Sequence, residues 1–231
     1  VRSAVMIEPG KLSLGEFEAG ATAAVHTLQV SNDGADAVTY QVGHAPALAT
    51  NGTNTVSFFS APADVALSAN MVVVPAGGTA SVQVAVTPNP GLLDRSQYGG
   101  WIVFTPEGDG AVLRVPYAGF KGDYQSIQVL TPTTSNYPWL AARVGTTYFN
   151  QPGGATYSMV GTDIPYFLAH LDHQSRELRF EVFDAVSGQA WHRAYQQSYV
   201  GRNSTATSFF AFPWDGQTVA GKKTYTVPNG Q

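Results

Sequence analysis

Short stretches in which apolar and polar residues alternate recur along the chain, and they restrict its fold more than any other feature. Residues 12–17, 38–42 and 81–86 each alternate in this way, with the period of two that indicates a half-buried β-strand. Turn-forming stretches rich in Gly, Pro, Asn and Asp separate them, as in residues 31–36 and 75–78. No stretch has the period of an amphipathic helix. Strands at such short spacing predict an all-β protein made of β-sandwiches.

Further strands are predicted on the same grounds in both halves of the chain. They are residues 26–30, 70–74, 98–104, 155–160, 165–171 and 177–184. Residues 43–66 are the least regular part of the first half.

Residues 113–123 indicate where one domain ends and the next begins. Pro116 suits the end or the edge of a strand because it cannot donate a ladder hydrogen bond. Gly119 and Gly122 flank Phe120 with flexible backbone, as expected where a strand becomes a turn. A length of 231 residues is sufficient for two domains. We therefore predict two consecutive domains, over residues 1–122 and 123–231.

The composition favours a secreted β-protein and argues against several classes of partner. Charged residues make up only 12%, so the polar surface must come from Ser, Thr, Asn, Gln and Gly. The net charge of −4 provides no basic field for nucleic acid. No apolar run approaches the roughly 18 residues that a membrane helix needs, so no membrane partner is predicted. The absence of cysteine leaves no disulfide or thiolate metal site.

Several motifs of the first half occur in a recognisable order. They are residues 11–15 (KLSLG), 26–33 (HTLQVSND), 38–40 (VTY), 98–102 (YGGWI) and 115–123 (VPYAGFKGD). Together they resemble the fibronectin-III-like domain that follows the catalytic domain in large secreted subtilisin-like serine proteases of the minor extracellular type. The resemblance implies a fibronectin-III-like β-sandwich, and it assigns residues 1–7 to the end of an upstream catalytic domain.

The end of the chain carries a second resemblance. Residues 179–184 (RFEVFD), 212–216 (FPWDG) and 227–230 (VPNG) are similar to an Ig-like module of bacterial and fungal secreted proteins. In that module the Trp-Asp-Gly motif closes a strand and the Val-Pro-x-Gly motif introduces the final one. The resemblance implies an Ig-like second domain that lacks its last strand here. An incomplete sandwich exposes unpaired backbone groups, so we expect its edge to pair with another chain or to be covered by a loop.

The sequence predicts no catalytic residues. A subtilisin-like triad requires a Ser in a Gly-Thr-Ser-Met-Ala helix start, together with a His and an Asp from other motifs. The nearest stretch, residues 157–159 (YSM), lacks the preceding Gly-Thr. We expect the chain not to be an enzyme and to need no cofactor, although the parent that it resembles is a serine endopeptidase.

His170 and His173 are the first candidates for a metal site. Two His three residues apart on a helix could share zinc, but in a strand they point to opposite faces. The alternative, a packed strand His and an exposed turn His, is favoured. A calcium site at Asn32, Asp33 and Asp36, or at Asp163 and Asp172, is less favoured than turn formation, which Asp and Asn promote unaided. We therefore predict no metal ligands.

Aromatic residues and two sequons complete the set of candidate sites. Tyr137, Trp139 and Trp191 lie in loop-like or strand-edge sequence, where aromatics can stack on a sugar ring or grip a partner; packing between domains is favoured for the first two. Trp101 and Trp214 lie in strand patterns that favour core packing. Asn51 and Asn203 begin sequons and are glycosylation candidates.

Three functions from different classes remain open. The first, which we favour, is a non-catalytic C-terminal region of a secreted subtilisin-like protease, extracellular or in the cell wall. Its β-sandwiches would support the stability of the upstream catalytic domain and position a protein substrate or hold a surface. The second is a module that binds carbohydrate or a cell-surface glycan. The third is a metal-dependent hydrolase that uses His170 and His173.

Overall fold

The structure, a computed structural model, describes residues 4–52 and 56–228. All regular elements in this part of the chain are β-strands, which confirms the prediction of an all-β protein. The described residues contain no helix that is both long enough and apolar enough to span a membrane. The chain divides into two compact units, Val1–Ser126 and Ile127–Gln231.

The first unit is formed by two sheets. Its strands are β1 (Val5–Glu8), β2 (Leu12–Phe17), β3 (Val25–Asn32), β4 (Val38–Pro46), β5 (Ala49–Asn51), β6 (Ser57–Phe59), β7 (Asp64–Leu67), β8 (Met71–Val74), β9 (Thr79–Thr87), β10 (Gln97–Pro106) and β11 (Leu113–Lys121). One sheet has the order β1-β3-β9-β7, and the other has the order β2-β11-β10-β4-β8. Strand β5 pairs with both β10 and β6. Among the described pairs of this unit, β2 and β11 alone run parallel.

Strand β1 belongs to this sandwich, and not to an upstream domain as the resemblance assigns it. It pairs antiparallel with β3, and Val5 lies opposite Asn32. Val5 is also part of the hydrophobic core, and the Asp33 N–H donates to the Ala4 carbonyl oxygen at 2.8 Å. Residues 1–3, the remainder of the predicted segment, lie outside the described part. No turn-forming stretch precedes β1 in the sequence. The pattern of apolar and polar residues therefore does not indicate which strand β1 pairs with.

The core of the first unit lies between the two sheets. Alternate positions of β3, β9 and β10 point into it, as the period of two predicts. The largest completely buried members are Leu28, Val30, Val82, Val84, Ile102 and Phe104, each 0% exposed. Burial of such a side chain contributes about 1.5–3 kcal/mol, so these strands hold the two sheets together.

Two glycines on the second sheet leave room for tyrosine rings. A Cβ on Gly119 would lie 2.4 Å from Cζ of Tyr98, and a Cβ on Gly100 would lie 2.7 Å from the Tyr117 hydroxyl. No side chain can approach so closely, so both glycines are required where the rings cross the backbone. Tyr98 and Tyr117 are each only 3% exposed.

The second unit also contains two sheets. Its strands are β12 (Trp139–Val144), β13 (Thr147–Asn150), β14 (Tyr166–Ala169), β15 (Ser175–Phe183), β16 (Ala190–Val200), β17 (Phe210–Pro213), β18 (Gln217–Ala220) and β19 (Lys223–Thr226). The sheets have the orders β13-β12-β14-β17 and β15-β16-β18-β19. An aromatic group joins them, in which Phe180 stacks on Phe167 with centroids 5.1 Å apart and also contacts Phe212 at 5.2 Å.

The second unit differs from its predicted strands in several places. Residues 155–160 are a loop with one bridge at Val160, because Met159 has a φ of 59° that an extended strand does not permit. Strand β16 was not predicted, since most of its residues are exposed or half-buried and no clean alternation marks it. Strands β12, β13, β18 and β19 were not predicted either. That the Ig-like module lacks its final strand stays a prediction, and Asn229 and Gly230 of the motif that introduces this strand lie outside the described residues.

Candidate functional site

The two candidate zinc ligands have different environments. His170 is 2% exposed, and its Nδ1 donates to the Ser208 carbonyl oxygen at 2.6 Å. Its Nε2 lies 4.0 Å from an oxygen of Asp172. His173 is half-buried, and its Nδ1 is 2.9 Å from the Gln174 carbonyl oxygen. His170 is therefore a packed His, whereas His173 is less exposed than the turn His that the sequence favoured. Among the described residues, one cluster of side chains has metal-binding geometry, and it contains neither His.

Asn32, the first calcium candidate, joins two turns. Its side chain is 1% exposed. Its Nδ2 donates to the carbonyl oxygen of Asp36 at 2.8 Å and to that of Pro75 at 3.2 Å. Its Oδ1 accepts from the Gly34 N–H at 2.9 Å. The amide is therefore used within the protein, between the β3–β4 and β8–β9 turns.

Asp163, a looser calcium candidate, closes a turn with Ser158. The Ser158 N–H donates to Oδ2 of Asp163 at 2.9 Å. Hydrogen bonds from the Ser158 side chain and backbone lower the pKa of the Asp163 carboxyl below its usual value. Burial, followed by the negative charge of Asp163, raises the pKa of Tyr157. Ser158 is thus hydrogen-bonded to a carboxylate in a loop. It belongs to residues 157–159, the stretch most similar to the nucleophile motif of a subtilisin-like triad.

The loop aromatics pack inside the second unit. Tyr137 is 7% exposed, and its ring centroid lies 5.0 Å from that of Trp139. The Trp139 indole N–H donates to the Ser135 carbonyl oxygen at 2.7 Å. Trp191 is half-buried in β16, and its buried indole nitrogen has no hydrogen-bond partner among the described residues. Trp101 was predicted in the core but is 38% exposed, because it lies on the outer face of β10.

The two sequons differ in accessibility. Asn51 is half-buried in β5, and Thr53 of its sequon lies outside the described residues. Asn203 is only 4% exposed. The Asn203 Oδ1 accepts from the Leu171 N–H, and the Asn203 backbone N–H donates to the Leu171 carbonyl oxygen, both at 2.8 Å. A buried side chain bonded in this way leaves no space for a glycan in the folded unit.

A groove on the first unit was not predicted from the sequence. It crosses the outer face of the sheet over β10 and β11 and has a volume of about 670 Å³. Gly99 and Ala118 form its floor, Leu48 one wall, and Phe120 and Tyr124 the other. Leu48 is 60% exposed. We call these five residues, with Glu16 at the end beside Tyr124, the outer-face groove.

Three carboxylates lie at one end of this groove. Glu16, Glu18 and Asp123 are exposed, and each contributes an oxygen within 4.8 Å of the other two. We call them the acidic rim. The parallel pairing of β2 and β11 places Phe17 opposite Lys121, and so brings the residues after each strand together. Residues this far apart in sequence gave no signal that they would meet.

The groove wall and the rim are connected. Oε2 of Glu16 accepts from the Tyr124 N–H at 2.8 Å. The Tyr124 ring meets the Phe120 ring edge to face, with centroids 5.2 Å apart and planes at 89°. Oδ1 of Asp123 accepts from the N–H groups of Gln125 and Ser126 at 2.8 and 3.1 Å. These contacts fix the wall and two of the three carboxylates.

A polar pair lies on the inner face of the same sheet. The Tyr117 hydroxyl is 2.7 Å from Nε2 of His44. Burial, with a smaller contribution from Tyr98, raises the pKa of Tyr117 to about 12. Burial also lowers the pKa of His44. Each effect favours the neutral form, so the pair is a hydrogen bond between uncharged side chains near neutral pH.

Residues 12–118 match the family model described as Fn3-like domain. The first unit is a fibronectin-III-like domain. The match confirms this part of the resemblance, and it covers the strands that carry the floor of the outer-face groove. No curated protein sequence matches the chain.

Several solved structures are similar to this chain at low sequence identity. PapD-like domain 7 of human CEP192 is 17% identical with a TM-score of 0.40, and the alignment covers 52% of this chain and 85% of that one. The CsuC–CsuE chaperone–tip adhesion subunit complex of Acinetobacter baumannii is 13% identical with a TM-score of 0.35, with 91% and 90% covered. The CupB2 chaperone of Pseudomonas aeruginosa is 11% identical with a TM-score of 0.35, with 91% and 100% covered.

Proposed function

We propose that the chain is a non-catalytic β-sandwich region of a secreted subtilisin-like serine protease. The observation that carries the proposal is the fibronectin-III-like match over residues 12–118, because it falls on the ordered motifs that resemble such proteases. These motifs occupy β2, β3, β4, β10 and β11, strands of both sheets of the sandwich. The region would stabilise the catalytic domain and position its substrate or attach it to a surface, outside the cell or in the cell wall.

The test begins with the reading frame that encodes the chain. We expect a subtilisin-like domain to precede residue 1 in that frame, and a frame without one overturns the proposal. The complete protein is then compared with a version that lacks residues 1–231. We expect the shortened protein to unfold at a temperature lower by at least about 5 °C, since one kcal/mol shifts the midpoint by roughly 2–4 °C in domains of this size.

A matched control separates stabilisation from substrate positioning. In the complete protein, Asp109→Asn changes one exposed side chain in a turn of the first unit and should leave both the unfolding temperature and protein cleavage unchanged. If removal of residues 1–231 changes neither the unfolding temperature nor the rate of cleavage of a protein substrate, the supporting role is wrong.

The second candidate is a module that binds carbohydrate. The packing of Tyr137 and Trp139 inside their unit removes two of the aromatics on which it first depended. It is now supported by the aromatic wall of the outer-face groove, since sugar rings stack on such side chains. A glycan array probed with the intact chain tests it, and the absence of binding to any glycan would eliminate it.

A further inference from the structure

We propose that the outer-face groove binds an extended peptide segment in which an arginine stands two residues from an apolar residue. The proposal concerns the fibronectin-III-like domain itself and does not depend on a protease parent. It is based on the shape of the groove, on its apolar floor and walls, and on the charge at one end.

The groove is large enough for a few residues of an extended chain. It runs from Thr50 on β5 across β10 and β11 to Glu16 on β2. Neighbouring strands lie about 4.8 Å apart, so this path is roughly 15 Å long, which about four extended residues can follow. The volume of about 670 Å³ is within the range of ligand sites in proteins.

The floor and walls suit an aliphatic side chain. Gly99 and Ala118 lie opposite one another on paired strands and raise no large side chain above the sheet. Leu48 on one wall is 60% exposed, and Tyr124 on the other is 39% exposed. An apolar residue lying on this floor would cover both walls and gain about 25 cal/mol per Å² of apolar surface removed from water.

The acidic rim provides the complementary charge for a cation. Three carboxylates lie within 4.8 Å of one another, and in the described part of the chain neither of the recorded ion pairs involves any of them. Their mutual repulsion would be relieved by a positive group. The chain as a whole is also negative, with a net charge of −4, which favours the approach of a basic segment.

The position of the rim favours arginine over lysine. Glu16 accepts from the Tyr124 backbone, so this carboxylate is held beside the aromatic wall. A guanidinium there can bond to a carboxylate with two parallel N–H groups while its plane lies over an aromatic ring. An ammonium group offers the charge without the planar fork. The side chain two residues from the arginine would then reach the floor at Gly99 and Ala118, because alternate side chains of an extended segment point the same way.

The test uses the full chain and a fluorescein-labelled peptide, Gly-Leu-Gly-Arg-Gly-Leu-Gly, blocked at both ends. Binding is measured by fluorescence anisotropy in low salt. A matched peptide carries citrulline in place of arginine, which keeps the size and removes the charge. We expect the citrulline peptide to bind at least tenfold more weakly, and the lysine peptide about threefold to tenfold more weakly.

Three variants distinguish binding in the groove from general attraction to the negative charge of the chain. The double substitution Glu16→Gln with Glu18→Gln and the single substitution Ala118→Leu should each weaken binding at least tenfold, the first through charge and the second by filling the floor. Asp109→Asn removes one exposed charge elsewhere in the domain and should change affinity less than twofold. Circular dichroism confirms that each variant is folded.

Several outcomes would overturn the proposal. One is equal binding of the arginine and citrulline peptides, and another is an equal loss of affinity in Asp109→Asn and the rim variant. A third is that calcium binds at the rim while the peptide does not bind with or without it. Binding of a glycan that Ala118→Leu abolishes, with no peptide binding, would assign the groove to carbohydrate instead.

Discussion

Replacing Asn32 by Asp tests how the two turns of the first unit are joined. Asp has the shape of Asn, but at neutral pH its carboxylate cannot donate a hydrogen bond. The Nδ2 group that it replaces donates to the carbonyl oxygens of Asp36 and Pro75 at 2.8 and 3.2 Å and lies 3.4 Å from that of Val74. The substitution would therefore place a negative oxygen against three carbonyl oxygens in a site that is 1% exposed.

The cost follows from the contacts that change. Two donated hydrogen bonds are lost at about 1 kcal/mol each, and a buried charged group without a donor adds about 1–3 kcal/mol. The free energy of unfolding should thus fall by about 3–5 kcal/mol at pH 7. The carbonyl environment should raise the pKa of the new carboxyl above its unfolded value of about 3.9. A raised folded pKa means that the lost stability returns in part as the pH falls from the folded pKa to about 3.9, because the protonated acid can donate again.

The assay is urea unfolding followed through the backbone amide NMR signals of residues 1–126, because three of the four tryptophans lie in the second unit and would add its fluorescence to that of Trp101. Unfolding is measured at pH 7 and near pH 3.5, each against the unsubstituted chain. Asp36→Ala is the control, because Asn32 bonds to the backbone oxygen of Asp36 and not to its side chain; it should cost less than about 0.5 kcal/mol. A loss below 1 kcal/mol for Asn32→Asp, or the same loss at both pH values, would refute this account of the turns.

Three further predictions concern other buried positions. Asn203→Ala should destabilise the second unit by about 1–3 kcal/mol in thermal unfolding, because it leaves the Leu171 N–H without its acceptor; mass spectrometry of the chain secreted from a eukaryotic host should find no glycan on Asn203. Gly119→Ala places a Cβ 2.4 Å from a tyrosine ring and should cost about 2–4 kcal/mol, whereas Gly108→Ala, with nothing within 4 Å, should be nearly neutral. The free energy of unfolding should fall as the pH rises from the ordinary tyrosine pKa of 10.0 towards the Tyr117 value of about 12. The fall should be up to about 1.4 kcal/mol per pH unit, because the unfolded chain loses this proton first. Tyr117→Phe should flatten that slope in denaturant titrations, and an unchanged slope would contradict the prediction.

The alternating strands of the first unit could be predicted because each has one face in the core. Residues 26–30 and 81–86 lie in β3 and β9, where alternate side chains are buried. Strand β16 does not carry this signal, because few of its residues are buried. Residues 155–160 alternate apolar and polar side chains as a strand does, but the backbone turns at Met159 instead. Period-two analysis thus detects strands through their burial and misses those that are mostly exposed.

The outer-face groove could not be predicted because no single stretch contains it. Its floor is made of Gly99 and Ala118, small residues that do not indicate a surface site in the sequence of a strand. Tyr124 of one wall lies beyond the end of β11. The acidic rim arises from two sequence positions joined by the parallel pairing of β2 and β11. Such pairing is decided by the whole sandwich, and local sequence does not reveal it. In contrast, the turn role of Asn32 follows from local chemistry, as expected of Asn and Asp.

The same parallel pair also determines how the domain would respond to mechanical tension. The chain enters β2 at Leu12 and leaves β11 at Lys121, and five residue pairs connect the two strands. A force applied between Leu12 and Lys121 pulls two parallel neighbours in opposite directions along their length. All the connecting hydrogen bonds are then loaded together in shear and do not open one after another. Because β1 precedes β2 and pairs antiparallel with β3, a force applied before β1 loads that pair first and reaches the parallel pair only after β1 has separated.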